Sequence, residues 1–150
     1  MTNIALVVAT VLLLGSPVSQ AVPAPAPSAP SQAAVTVPDT PPGRGLQGFI
    51  SSFNEGGDKR REWLTSATTM DAGNVANIYQ QDVDVLAEHG PMTIVRLPKE
   101  AMTATSMVAI VHHAKTGVHG HLTIEVQADA PHKVTNMGLR GATPEEIKGL

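Results

Sequence analysis

The chain has 150 residues, a formal charge of −3, no cysteine, one Trp, one Tyr and two Phe. The missing cysteine excludes disulfides, thiolate metal sites, a Cys nucleophile and a lipid anchor on an N-terminal Cys. With no basic field and few rings for base stacking, the composition also argues against a nucleic-acid partner.

The first segment reads as an address. Ile4–Gly15 is an uncharged apolar run, long enough for the core of a signal peptide and too short to cross a bilayer comfortably. Ser16-Pro17 breaks any helix after it, and Ser19 and Ala21 are small residues at the −3 and −1 positions of a cleavage site. We place the signal peptide at 1–21. The n-region, Met1-Thr2-Asn3, lacks Lys and Arg, and the alternative is an uncleaved N-terminal anchor. Cleavage predicts a periplasmic or secreted protein with no stable membrane span, and the absence of disulfides fits bacterial export. Residues 22–42 hold seven prolines among twenty-one residues. Such a run disfavours regular helix and sheet and favours an extended polyproline II tether. A solvated spacer outweighs a P-x-x-P recognition motif. The folding unit is then 43–150, room for one modest core.

Within it, Leu46, Phe49, Ile50 and Phe53 fall at i, i+3, i+4 and i+7, the stripe of an amphipathic helix over 43–53. Gly56-Gly57 ends it. Asp58 is the expected N-cap of a short helix over 59–66 that buries Trp63 and Leu64. A third helix is expected over 70–88, with Val75, Ile78, Tyr79, Val83 and Leu86 inward, stopped by Gly90-Pro91. Strands follow at 93–97, 102–111, 119–127 and 133–140, with a hairpin turn at Lys115-Thr116-Gly117. In the last strand Val134, Asn136 and Gly138 are expected on one face, Thr135, Met137 and Leu139 on the other. Thr143-Pro144-Glu145-Glu146 opens a final helical turn. Helices followed by an antiparallel meander predict an α+β fold, with the helices packed on one face of a curved sheet of about four strands. Such a sheet encloses a pocket on its concave side.

Two stretches, F-I-S-S-F-N-E-G-G-D at 49–58 and H-L-T-I-E-V-Q-A-D-A-P-H-K-V-T-N-M-G-L-R at 121–140, carry a resemblance. With the segment between them they resemble the accessory N-terminal domain of some exported bacterial hydrolases: β-lactamase-like serine hydrolases and C-terminal processing-type peptidases. That domain is similar to the nuclear transport factor 2-like (cystatin-like) superfamily. The resemblance covers about 100 residues and implies a fold and a partner hydrolase. It implies no activity, because no catalytic residue of those hydrolases maps onto a position here.

The chain has no S-x-x-K, G-x-S-x-G, G-x-x-x-x-G-K-[ST] or G-x-G-x-x-G, so the common serine-hydrolase, phosphate and dinucleotide signatures are absent. One cluster stands out: His112, His113, His119 and His121 on the two arms of one hairpin. A two-residue turn sets His112 opposite His119; a three-residue turn sets His113 there instead. Either brings two imidazoles within reach of a weakly held Zn²⁺ or Cu²⁺. A full zinc site needs three or four ligands, so surface histidines on a hairpin tip are the weightier reading. Asp82, Asp84 and Glu88 are expected on the solvated side of the third helix, and Lys59-Arg60-Arg61 is expected to be solvated too. Trp63, Tyr79 and His132 are the candidates for lining a ligand pocket.

These observations predict a non-catalytic binding or accessory module. A small apolar ligand, a peptide or a partner hydrolase would lie against the concave sheet. The alternatives are a small pocket enzyme of the same fold, with His132 and Asp82 the positions to inspect, and weak metal binding by the hairpin histidines. The oligomeric state is open.

Overall fold

A computed structural model of the chain describes residues 35–150. The expected signal peptide, 1–21, and residues 22–34 of the expected tether lie outside the described residues.

The helical layer begins two residues earlier than the apolar stripe predicts. Helix α1 spans Pro41–Glu55, and Thr40 caps it by accepting from the Gly43 amide. Prolines 41 and 42 occupy its first positions, where no amide is needed and the fixed φ is already helical. The tether therefore cannot run to residue 42, and Val37 already packs against the core.

Gly56 and Gly57, at φ 64° and 50°, turn the chain directly into helix α2, Gly57–Ala67. Gly56 holds the N-cap position, so Asp58 lies in the first turn instead of capping, where its charge suits the helix dipole. Helix α3 spans Ala72–His89; Asp71 caps it, accepting from the Asn74 amide. Its burial is thinner than the stripe suggests. Of the five residues expected inward, Val75 is buried, whereas Val83 is 37% exposed. Leu86 packs against the core as expected, and Val85, absent from the expected stripe, does so too.

Four strands follow: β1 Met92–Arg96, β2 Ser106–His113, β3 His119–Val126 and β4 Val134–Gly141. A 3-10 turn at Lys99–Ala101 occupies the approach to β2, which starts four residues later than expected. The strands form one antiparallel sheet in the order β1-β2-β3-β4, and the sheet is not closed. The register sets Ala109 opposite Leu122 and His112 opposite His119. A bulge at Glu125/Val126 shifts β4, so Val134 pairs with Val126 while Met137 pairs with Ile124 and Leu139 with Leu122. The simple alternation expected of β4 fails there for this reason: Val134 and Met137 share a face, because a bulge adds one unpaired residue.

Leu46, Phe49 and Phe53 of α1 meet Met107, Ala109 and Val111 of β2 and Leu122, Ile124 and Val126 of β3 in one core. Asn54 adds a polar tie. Its amide donates to the Met92 carbonyl at 2.8 Å, and its side-chain oxygen accepts from the Met92 N–H at 2.8 Å. On the opposite face lies a C-terminal turn, α4 Pro144–Ile147, with a complete capping box between Thr143 and Glu146. Arg96 donates to the carbonyls of Glu146 and Lys148 and holds that segment to the sheet. No helix among the described residues is long and apolar enough to cross a membrane.

Candidate functional site

Because α1 lies along the inner face of the sheet, most of that face is filled by side chains. It is open where β2, β3 and β4 pass beneath the end of α3. There a groove of about 290 Å³ is lined by Val85 and His89 of α3 and by His113, Val118 and Leu139 of the sheet side. Val118 is 48% and Leu139 36% exposed, an apolar floor left to solvent. His113 and His89 add polar contacts, with ring centroids 5.3 Å apart. The His113 Nδ1 lies 3.5 Å from the Gly90 carbonyl, and burial pushes its pKa down, so the ring is held neutral. His89 lies 3.3 Å from the Thr116 hydroxyl.

A second cavity, of about 370 Å³, opens between the α1–α2 corner and α3. Behind it sits Arg60, 1% exposed in spite of its charge. Gly48 makes this possible: a Cβ there would stand 2.4 Å from the Trp63 indole nitrogen, so glycine alone lets α2 seat Trp63 against α1. Trp63 then meets Phe49 edge-on at 5.8 Å. The Arg60 guanidinium carbon lies 4.2 Å from the Phe49 ring centre and 4.8 Å from that of Trp63, favourable cation–π stacking. Its Nε donates to Asp82 Oδ2 at 2.7 Å and its Nη1 to the Ser52 hydroxyl at 3.0 Å. Nη2 is buried without a hydrogen-bond partner. Burial lowers the Arg60 pKa and raises that of Asp82, in each case against the pull of the partner charge.

The structure corrects several expectations here. Arg60 and Asp82, expected in solvent, form a buried ion pair across α2 and α3. Only Asp84 and Glu88 of that acidic trio remain exposed. The signal for Arg60 was weak, since three consecutive cations read as a solvated run. Helical geometry nevertheless puts one of three neighbours on the side of Leu64.

The sequence-derived pocket residues do not converge. Tyr79 lines the second cavity, with the Arg61 guanidinium over its ring at 4.5 Å. Trp63 and His132 border a separate groove. His132, at φ 55°, donates from Nδ1 to the Gln127 carbonyl in the β3–β4 loop. The hairpin histidines split likewise. His112 faces His119 with ring centroids 5.2 Å apart, as the shorter-turn register predicts. His113 turns to the helix side and pairs with His89, which the hairpin alone could not reveal. The His121 Nδ1 lies 2.6 Å from the Glu146 carboxylate and 2.8 Å from Arg140. Among the described residues no three His, Cys, Asp or Glu side chains are placed to hold a metal ion together.

No family model, curated protein or solved structure matches the chain.

Proposed function

We propose that the protein is an exported, non-catalytic binding module whose ligand lies at the open end of the inner sheet face. The observation that carries this reading is the exposed apolar floor of Val118 and Leu139 beside the neutral His113 ring. A mostly apolar molecule with one hydrogen-bond donor suits that combination, because the one N–H of the neutral His113 ring faces the Gly90 carbonyl and Nε2 is left to accept. The signal-like leader and the Pro/Ala run support a tethered, periplasmic or secreted location. The helices-on-sheet architecture is in keeping with a nuclear transport factor 2-like accessory domain, and a partner hydrolase is the macromolecular counterpart of that reading.

The test is an amide NMR titration of the mature protein with 1-octanol, beside native mass spectrometry of protein purified from its own host. Saturable shifts at Val118, Gly120 and Leu139, weakened by Leu139→Asp, are the expected outcome. Undisturbed amides at these positions, with only the bare protein mass, refute the site.

An enzyme reading draws less support. His132 and Asp82 line different cavities, and the Asp82 carboxylate is taken up by Arg60. Weak Zn²⁺ or Cu²⁺ binding keeps one specific observation, the facing His112 and His119 rings.

A further inference from the structure

The second cavity is separate from the groove assigned above, and its chemistry differs. Arginine carries five N–H donors in a rigid fork, and Nε and Nη2 form one edge of it. In Arg60 that edge meets Asp82 through Nε alone, at 2.7 Å, although a bidentate pairing is available to any arginine and carboxylate. Nη2, on the same edge, is left buried and unpartnered. Asp82 Oδ1 makes no hydrogen bond among the described residues. Side by side, then, stand one unpartnered donor, covered from solvent, and one acceptor without a hydrogen bond, on two residues that line a cavity together with Phe53, Tyr79, Val83, Leu86 and the Gly56-Gly57 corner.

We infer that this cavity is a binding site for an uncharged ligand with an apolar ring and a primary or cis amide. The amide carbonyl accepts from Arg60 Nη2, and the amide N–H donates to Asp82 Oδ1. A guest turns the Asp82 carboxylate slightly to reach Nη2 and replaces the contact it disturbs. An anion is disfavoured, because Asp82 already neutralises the guanidinium and Glu55 stands at the rim. A cation would meet Arg60 behind the carboxylate. The apolar body fits the Phe53, Val83 and Leu86 wall, and the cavity volume of about 370 Å³ suits a small ring.

The probe is benzamide, titrated into the mature protein beside benzoate, benzylamine and toluene. The readouts are fluorescence of Trp63, the sole tryptophan, and the amide NMR signals of Gly56 and Leu86. Saturable benzamide binding is expected, with each other compound weaker by about tenfold, the worth of a buried hydrogen bond. Asp82→Asn turns an acceptor into a donor and is expected to weaken benzamide by about the same factor. Should that variant fail to fold, Ala87→Trp fills the mouth of the cavity from an exposed helix position and is expected to abolish binding. Equal binding of toluene and benzamide overturns the amide assignment. Benzamide binding unchanged in Ala87→Trp, or no saturable binding, overturns the site.

Discussion

Removing the carboxylate of Asp82 strands a charge. Arg60 is 1% exposed, and its one ionic partner among the described residues is Asp82, whose side chain is 14% exposed. Breaking a buried pair from one side costs about 3–5 kcal/mol, because the remaining ion has no water to turn to. In Asp82→Ala the guanidinium keeps Ser52 and the Phe49 and Trp63 faces. The loss should therefore sit at the lower end, about 3 kcal/mol. Arg60→Met is the milder change. It keeps the apolar stem, and the abandoned carboxylate borders an open cavity where water can reach it, so about 1–2 kcal/mol is expected. The double variant should lose less than the two singles added, by about 1–2 kcal/mol, since residues in contact couple. Urea unfolding followed by far-UV circular dichroism measures all three. Additive losses, or an Asp82→Ala cost below that of Arg60→Met, would show that the pair is not the buried contact drawn here.

Four further outcomes follow from the geometry. Asn54→Ala removes both bonds to the Met92 backbone and should cost about 1–3 kcal/mol, with β1 amides exchanging faster by NMR. The lowered pKa of His113 means the unfolded chain takes a proton first on acidification. Stability is full above the ordinary 6.5 and falls as pH drops through the folded value; His113→Gln should flatten that slope in urea titrations at pH 5 to 7. Glu146 is the opposite ionic type with the same sign: Arg140 and the Thr143 amide hold its carboxylate below the ordinary 4.5. Its hold on the C-terminal turn is present above that value and lost as pH falls through the folded one, so Glu146→Gln at pH 7 should speed hydrogen exchange at Ile147. Calorimetry with Zn²⁺ should show weak binding that disappears in His112→Ala/His119→Ala; unchanged heats in the variant would end the metal reading.

The α+β order, three helices and a four-stranded meander were legible because each element carries its own periodicity. Leu46, Phe49 and Phe53 announce a helix face, and Leu122, Ile124 and Val126 a strand face, without reference to anything distant. What sequence spacing misses is information held between elements. The β4 bulge depends on how Val126 meets Val134, and no pattern inside either strand encodes it. His89 and His113 are twenty-four positions apart and become neighbours only once β1 is laid beside β2. Arg60 reads as one of three solvated cations until Gly48 admits Trp63 and a ring closes over it. Tyr79 was found because it sits on a helical stripe, yet Trp63 and His132 belong to another side of the molecule. A concave face suggests a pocket, but α1 occupies most of it, and the open volume moves to the ends and corners.

The Asn54 clamp also governs what the sheet can become. Met92 turns its N–H and C=O away from β2, and a side-chain amide answers both as a neighbouring strand would. On the far side the Thr69 amide does half of this for Val134, donating to its carbonyl. What remains of β1 is short and interrupted by a register shift, whereas β4 runs on for seven more residues with little covering it. In the language of polymer chemistry the monomer has one reactive end. Strand addition through such an end closes at a pair and stops, so the route from this sheet to an open-ended fibre lacks its second bond.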